Sequence, residues 1–89
     1  MIDYDILIVG SGLAGATSAR IVAEKGYKIL IVEQRRHIGG QVFDYKNEHG
    51  ITIHQYGPHI FHTHSKRVWD FVNRFSEFNS FQHRVLSYA

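Results

Sequence analysis

The chain has 89 residues and no cysteine. Disulfide staples and thiolate metal sites are excluded, and the absence fits a reducing compartment, which points to the cytoplasm. It has no long apolar run either, so nothing approaches the length of a membrane span. The opening, Met1 to Asp5, is acidic and leads into only four apolar residues, unlike the basic start and longer apolar core of a signal peptide. An excess of charge is also missing. The formal net charge is +2, and the ten Lys and Arg are scattered, Arg35-Arg36 and Lys66-Arg67 being the adjacent pairs. No nucleic-acid partner is implied. No internal repeat or low-complexity linker interrupts the chain. Hydrophobic residues at 44% and charged residues at 20% are ordinary for a globular chain of at most one small domain.

What is present is organised around the first 33 residues. Asp5 to Val9 is an apolar run without alternation, which suits a central strand covered on both faces. Ser11 to Lys25 reads as a helix with Leu13, Ala16 or Thr17, Arg20 or Ile21 and Glu24 at helical spacing. Gly26 stands where a helix stop is expected. Tyr27 to Glu33 is a second buried strand, completing a right-handed βαβ unit. Gln34 to Gln41 is a loop. Val42 to Tyr45 and Ile51 to Tyr56 form a hairpin around the polar turn Lys46 to Gly50. Within its second strand Ile51 and Ile53 share one face, and Thr52, His54 and Tyr56 the other. Gly57-Pro58 breaks that strand. Ser65 caps a helix running to about Phe78, with Val68, Val72 and Phe75 on its apolar face, Phe71 and Phe78 one strip over, and Trp69 at its edge. Arg84 to Ala89 reads as a strand or its approach.

Between the first strand and helix lies Gly10-Ser11-Gly12-Leu13-Ala14-Gly15, a G-x-G-x-x-G fingerprint. Gly10 makes the tight turn out of the strand, Gly12 lets the backbone approach a pyrophosphate, and Gly15 lets the helix pack on the strand. The free N–H groups and positive end of the helix receive the phosphates. The glycines alone are a weak signal. Here they follow a strand and open a helix, and Glu33 closes the second strand eighteen positions after Gly15, placed to accept hydrogen bonds from adenosine ribose hydroxyls. FAD and NAD both use such an acid. Gly39-Gly40, six residues past Glu33, favours FAD, because a glycine pair lets the loop pass close to the cofactor while Arg35 or Arg36 supplies charge.

Seven histidines raise the question of a metal. His59, His62 and His64 lie close together, but no H-E-x-x-H occurs and no acid is interleaved, so no metal site is expected. His37 and His49 read as polar loop residues, and His54 as a residue of the polar strand face.

The stretch Tyr56-Gly57-Pro58-His59-Ile60-Phe61-His62-Thr63 has the form of a segment lying against a flat ring. Together with I-L-I-V-G-S-G-L-A-G, E-Q-R-R-H-I-G-G, V-W-D-F-V-N and F-x-H-R-V, it resembles the bacterial UDP-galactopyranose mutases over the whole chain. The resemblance implies an isomerase that interconverts UDP-galactopyranose and UDP-galactofuranose with reduced FAD. In that family the flavin N5 attacks the anomeric carbon, a flavin–sugar adduct forms, and the ring opens and recloses in the other size before UDP returns. By position, Gly10, Ser11, Gly12, Leu13, Gly15, Glu33, Gln34, Arg36, Gly39 and Gly40 would hold FAD. Gly57, His59 and Ile60 would sit against the isoalloxazine ring, His59 being the flavin-adjacent residue. His83, where relatives often carry Asn in F-x-N-R-V, would lie near the substrate. The product would serve cell-surface polysaccharide.

The expected fold class is α/β: a Rossmann-like FAD-binding βαβ unit, a β-hairpin and one helix, making an incomplete doubly wound sheet. Residues 1–89 would be the N-terminal part of an FAD-binding domain in a longer chain, inactive alone, with UDP-clamping residues elsewhere. Exposed sheet edges would drive homo-oligomerisation. Two other readings share the glycines and the acid. One is an FAD-dependent oxidase or desaturase of amine-oxidase type. The other is a non-catalytic oligomerising fragment.

Overall fold

Two near-identical quartets, Ile6-Leu7-Ile8-Val9 and Ile29-Leu30-Ile31-Val32, build strands β1 (Ile6–Val9) and β2 (Ile29–Val32) of the computed structural model, which describes residues 3–82 and 84–88. The strands pair in parallel, Ile6 opposite Ile29 through Val9 opposite Val32. Backbone bonds extend the ladder at both ends: Asp5 N–H donates to Lys28 O (2.9 Å), and Gly10 N–H to Val32 O (2.7 Å). The acidic opening has a structural task that its composition did not reveal. Asp5 Oδ2 accepts from Lys28 N–H at 2.8 Å, and Asp3 pairs with the Lys28 ammonium at 3.4 Å, pinning the entry to β2.

A parallel pair needs a crossover, supplied by helix α1 (Leu13–Ala23). It is shorter at both ends than the expected 11–25. The last N–H groups, on Lys25 and Gly26, turn to carbonyls three residues back, which tightens and ends the helix. Its inner stripe also differs from the expected one. Gly15, Ala19 and Val22 face inward, whereas Leu13 and Ile21 are exposed. Small side chains allow the close approach, so the branched ones are turned away. The helix covers one sheet face, where Ile6 and Ile8 are half-buried. Leu7 and Val9 on the other face are 60% and 80% exposed. The expectation of strands covered on both faces therefore fails in this chain, because one helix can cover only one face.

After β2 the chain forms a loop and a short 3₁₀ turn, Gly40–Val42. This turn takes Val42 out of the expected first hairpin strand. The hairpin consists of β3 (Asp44–Lys46) and β4 (Thr52–His54), antiparallel with Tyr45 opposite Ile53. Its turn is fixed by Asn47, whose Oδ1 accepts from His49 N–H (2.9 Å) and Ile51 N–H (3.0 Å). β4 stops at His54, short of Tyr56, because Gly57 N–H closes a reverse turn onto His54 O at 3.2 Å.

Residues 1–59 form one unit and 60–89 a second. The second holds α2 (Lys66–Val72), with Ser65 as the N-cap whose hydroxyl accepts from Val68 N–H at 3.3 Å. The cap matches expectation, but the helix ends six residues before Phe78. Asn73 Nδ2 donates back to Trp69 O (2.7 Å), and Arg74 and Phe75 N–H groups turn to carbonyls three residues back. Trp69 is 43% exposed, as an edge position implies. It packs with Phe61 and Phe78 at centroid distances of 6.1 and 5.2 Å, Phe78 returning from beyond the helix. Residues 84–88 form no strand, contrary to expectation, and Val85, Leu86 and Tyr88 are exposed. No partner strand reaches them among the described residues. No helix among the described residues is long and apolar enough to cross a membrane. The architecture is a small α/β arrangement, a βαβ unit followed by a hairpin and one helix, with the sheet incomplete.

Candidate functional site

Three segments converge at the carboxyl end of the parallel pair: the glycine turn, the end of β2, and the loop carrying Gly39 and Gly40. Gly15 belongs to the fold itself. A Cβ there would overlap the Gly10 carbonyl oxygen and stand 3.3 Å from Ile8 Cγ2. Gly40 is equally constrained, since a Cβ would lie 2.9 Å from Gly12 Cα and the backbone sits at φ +59°. The loop is tied down where Gly39 N–H donates to Ser11 O at 2.9 Å.

Gly12 is different. It is the N-cap of α1 with φ −71°, which any residue adopts, and a Cβ there would meet Gly40 Cα at an ordinary 3.9 Å. Folding alone does not require glycine at this position. A backbone left bare without a folding reason is what a close-approaching ligand needs. The helix behind it has no side-chain cap and no acid in its first turn, so its N-terminal N–H groups are left for an anion.

Glu33 sits between these segments. Its Oε1 accepts from both Ser11 N–H (3.0 Å) and Ser11 Oγ–H (2.7 Å), and its Oε2 accepts from Arg35 N–H (3.0 Å). The Arg35 N–H, then the Ser11 hydroxyl and N–H, bring the carboxyl from an ordinary 4.5 down to about 2. It is ionised before any ligand arrives. Three bonds thus hold the carboxylate, and the Gln34 N–H adds a weaker pull on the same group.

The remaining expected residues divide into three groups. Gln34 and Leu13 are exposed beside the cradle. Arg36 is exposed and makes no ion pair among the described residues, whereas Arg35 lays its guanidinium 4.5 Å from the Tyr56 ring centroid. His59 is exposed, and its Nδ1–H donates to Gly57 O at 2.8 Å. Ile60 belongs to the second unit, and His83 lies outside the described residues. His62 and His64 meet edge to face at 4.9 Å.

Sequence reasoning missed one cluster. His37, read as a polar loop residue, stacks on Phe43 at 3.9 Å with ring planes 13° apart. Its Nε2 lies 2.8 Å from the Tyr56 hydroxyl. The signal was in the chain as flat side chains on either side of Gly39-Gly40, a spacing that lets them close over the turn.

Comparison with known proteins places this geometry. A dTDP-fucopyranose mutase of Escherichia coli is 47% identical over 85 residues, 94% of this chain and 22% of that protein. A UDP-galactopyranose mutase of Mycoplasma genitalium is 47% identical over 84 residues, 93% of this chain and 21% of that protein. The flavin-containing amine oxidase A of Bos taurus is 33% identical over 46 residues, 52% of this chain and 9% of that protein. The resemblance to UDP-galactopyranose mutases therefore extends over nearly the whole chain, which spans about a fifth of the length of the mutases it matches. Residues 8–75, from the end of β1 to just past α2, match the NAD(P)-binding Rossmann-like domain, and with its βαβ unit and glycine turn the chain belongs to that family.

Proposed function

We propose that residues 1–89 are the N-terminal, FAD-binding part of a longer flavin-dependent mutase that interconverts UDP-galactopyranose and UDP-galactofuranose. The observation that carries the FAD site is the bare backbone at Gly12, closed over by Gly40 and flanked by an ionised Glu33. The residues present fit the group. The α1 N-terminus and Gly12 would receive the pyrophosphate, Oε2 of Glu33 a ribose hydroxyl, and Arg36 the phosphate charge. Gly57 and His59 would border the flavin ring, with His59 held to its own turn through the Nδ1 bond to Gly57 O. Bound reduced FAD would supply the nucleophile for exchange at the anomeric carbon. This chain's part is to bind and orient it, and the contacts to UDP would come from outside these residues. The open face bearing Leu7 and Val9 supports association, either with the rest of the chain or as a homo-oligomer.

The experiment is to incubate the full-length protein with UDP-galactofuranose and dithionite-reduced FAD and to separate the nucleotide sugars. UDP-galactopyranose is expected under reduction. Its absence, with oxidation of an amine instead, would favour the amine-oxidase reading, which the lower identities of 30% and 33% to an (S)-6-hydroxynicotine oxidase and an amine oxidase support less well. A second sugar, dTDP-fucopyranose, belongs in the same assay because the E. coli relative is named for it.

A further inference from the structure

We propose that His37 and Tyr56 are positioning residues that couple the two ends of the cofactor site, the phosphate cradle at Gly12 and Gly40 and the segment Gly57 to His59. The inference rests on the FAD reading above.

The hydrogen bonds fix the direction of the coupling. His37 Nδ1 lies 3.0 Å from Ile38 O. A carbonyl only accepts, so Nδ1 carries the proton, and in the neutral ring Nε2 accepts the Tyr56 hydroxyl proton across 2.8 Å. The Tyr56 oxygen in turn accepts from Gln55 Nε2 at 3.2 Å. The phenol thereby donates one hydrogen bond and accepts one.

The position of this pair gives it leverage. His37 stacks on Phe43, and these two rings close the neck of the loop that presents Gly39 and Gly40. Phe43 N–H donates to Gly40 O at 3.2 Å, and Gly40 is the residue pressed against Gly12. On the other side, Tyr56 directly precedes Gly57. Arg35 adds a second hold, because its backbone N–H binds Glu33 while its guanidinium lies over the Tyr56 ring. A displacement at Tyr56 therefore reaches the glycine loop through His37 and the ribose carboxylate through Arg35. No other side-chain hydrogen bond of the described residues joins residues 33–43 to 52–59.

The test is a double-mutant cycle in the full-length apoprotein, with FAD dissociation constants read by flavin fluorescence. Tyr56→Phe keeps the ring under Arg35 and removes only the hydroxyl. It is expected to weaken FAD binding about three- to tenfold, the size of one lost hydrogen bond, in titrations at a temperature where the variant apoprotein is fully folded. His37→Asn should weaken binding at least as much, and the double variant no more than His37→Asn alone. In ¹⁵N-histidine spectra His37 should carry its proton on Nδ1, and its Nε2 resonance should move in Tyr56→Phe. Three results would overturn the proposal alone: wild-type FAD affinity in Tyr56→Phe, losses that multiply in the double variant, or a proton on Nε2 of the neutral His37 ring. A wild-type protein that binds no FAD overturns the proposed function, and the coupling with it.

Discussion

Gly12 and Gly15 stand three residues apart in one fingerprint, and the structure separates their duties. At Gly12 an alanine Cβ meets only Gly40 Cα, at 3.9 Å, and φ −71° is allowed to any residue. Alanine is a poorer N-cap than glycine by about 0.5–1 kcal/mol. Restricting the unfolded chain returns about 0.4–1 kcal/mol, so the two nearly cancel. At Gly15 the new Cβ overlaps the Gly10 carbonyl oxygen, part of the backbone that also holds β1 to β2. Overpacking of this kind costs about 1–3 kcal/mol, and the clash with rigid backbone puts it at the upper end. Helix propensity returns about 1 kcal/mol, leaving roughly 2 kcal/mol of destabilisation. At about 2–4 °C per kcal/mol, Gly15→Ala should lower the melting temperature of the full-length apoprotein by roughly 4–8 °C. Gly12→Ala should leave it unchanged and yet weaken FAD binding about ten- to a hundredfold, since the methyl occupies the approach of the pyrophosphate. Thermal melts of both apoproteins and FAD titrations at a temperature where both are folded decide the matter. Normal FAD affinity in Gly12→Ala, or a loss of apoprotein stability equal to that of Gly15→Ala, would refute the assignment of Gly12 to the ligand.

Further outcomes are expected. Glu33 contributes stability because its carboxyl is lowered in the fold from 4.5 to about 2. That contribution is complete above about pH 4.5 and is lost as pH falls toward 2, so Glu33→Gln should differ most from wild type near neutrality and converge with it in acid melts. A difference that grows with acidity would contradict the hydrogen bonds assigned to Glu33. Asn47→Ala removes both acceptor contacts of the hairpin turn and should cost about 1–2 kcal/mol, measured by denaturant unfolding. Purified alone, the 89-residue chain should retain little flavin, because one sheet face is open, and a stoichiometric visible flavin band would show the cradle to be sufficient.

The βαβ unit was legible because its signals are local. Two apolar quartets, a glycine turn and a strand-end acid determine each other at short range, and the hairpin turn at Lys46 to Gly50 was equally clear. The errors fall where side chains decide over longer distances. Leu13 and Ile21 have the pattern of a buried helix face, but Gly15 and Ala19 win it because close approach to Ile8 outweighs the bulk of a branched side chain. Phe75 and Phe78 extend the helical spacing of α2, but Asn73 turns back onto Trp69 and ends it. In the site, Glu33 and the glycines could be read from spacing. The union of His37 with Tyr56 spans nineteen residues and a hairpin, and no periodicity encodes it.

The contact of Gly12 with Gly40 has a consequence for mass action. A cofactor that touches both glycines holds together two points 28 residues apart, and does so only in chains whose loop is already closed. It acts as a removable cross-link, adding about 2.7 kcal/mol at a hundredfold excess over its dissociation constant. For a unit whose buried residues are Ala19 and Ser11 among those described, that is a large share of any stability it has. The amount of folded protein in a cell should then follow the supply of the cofactor.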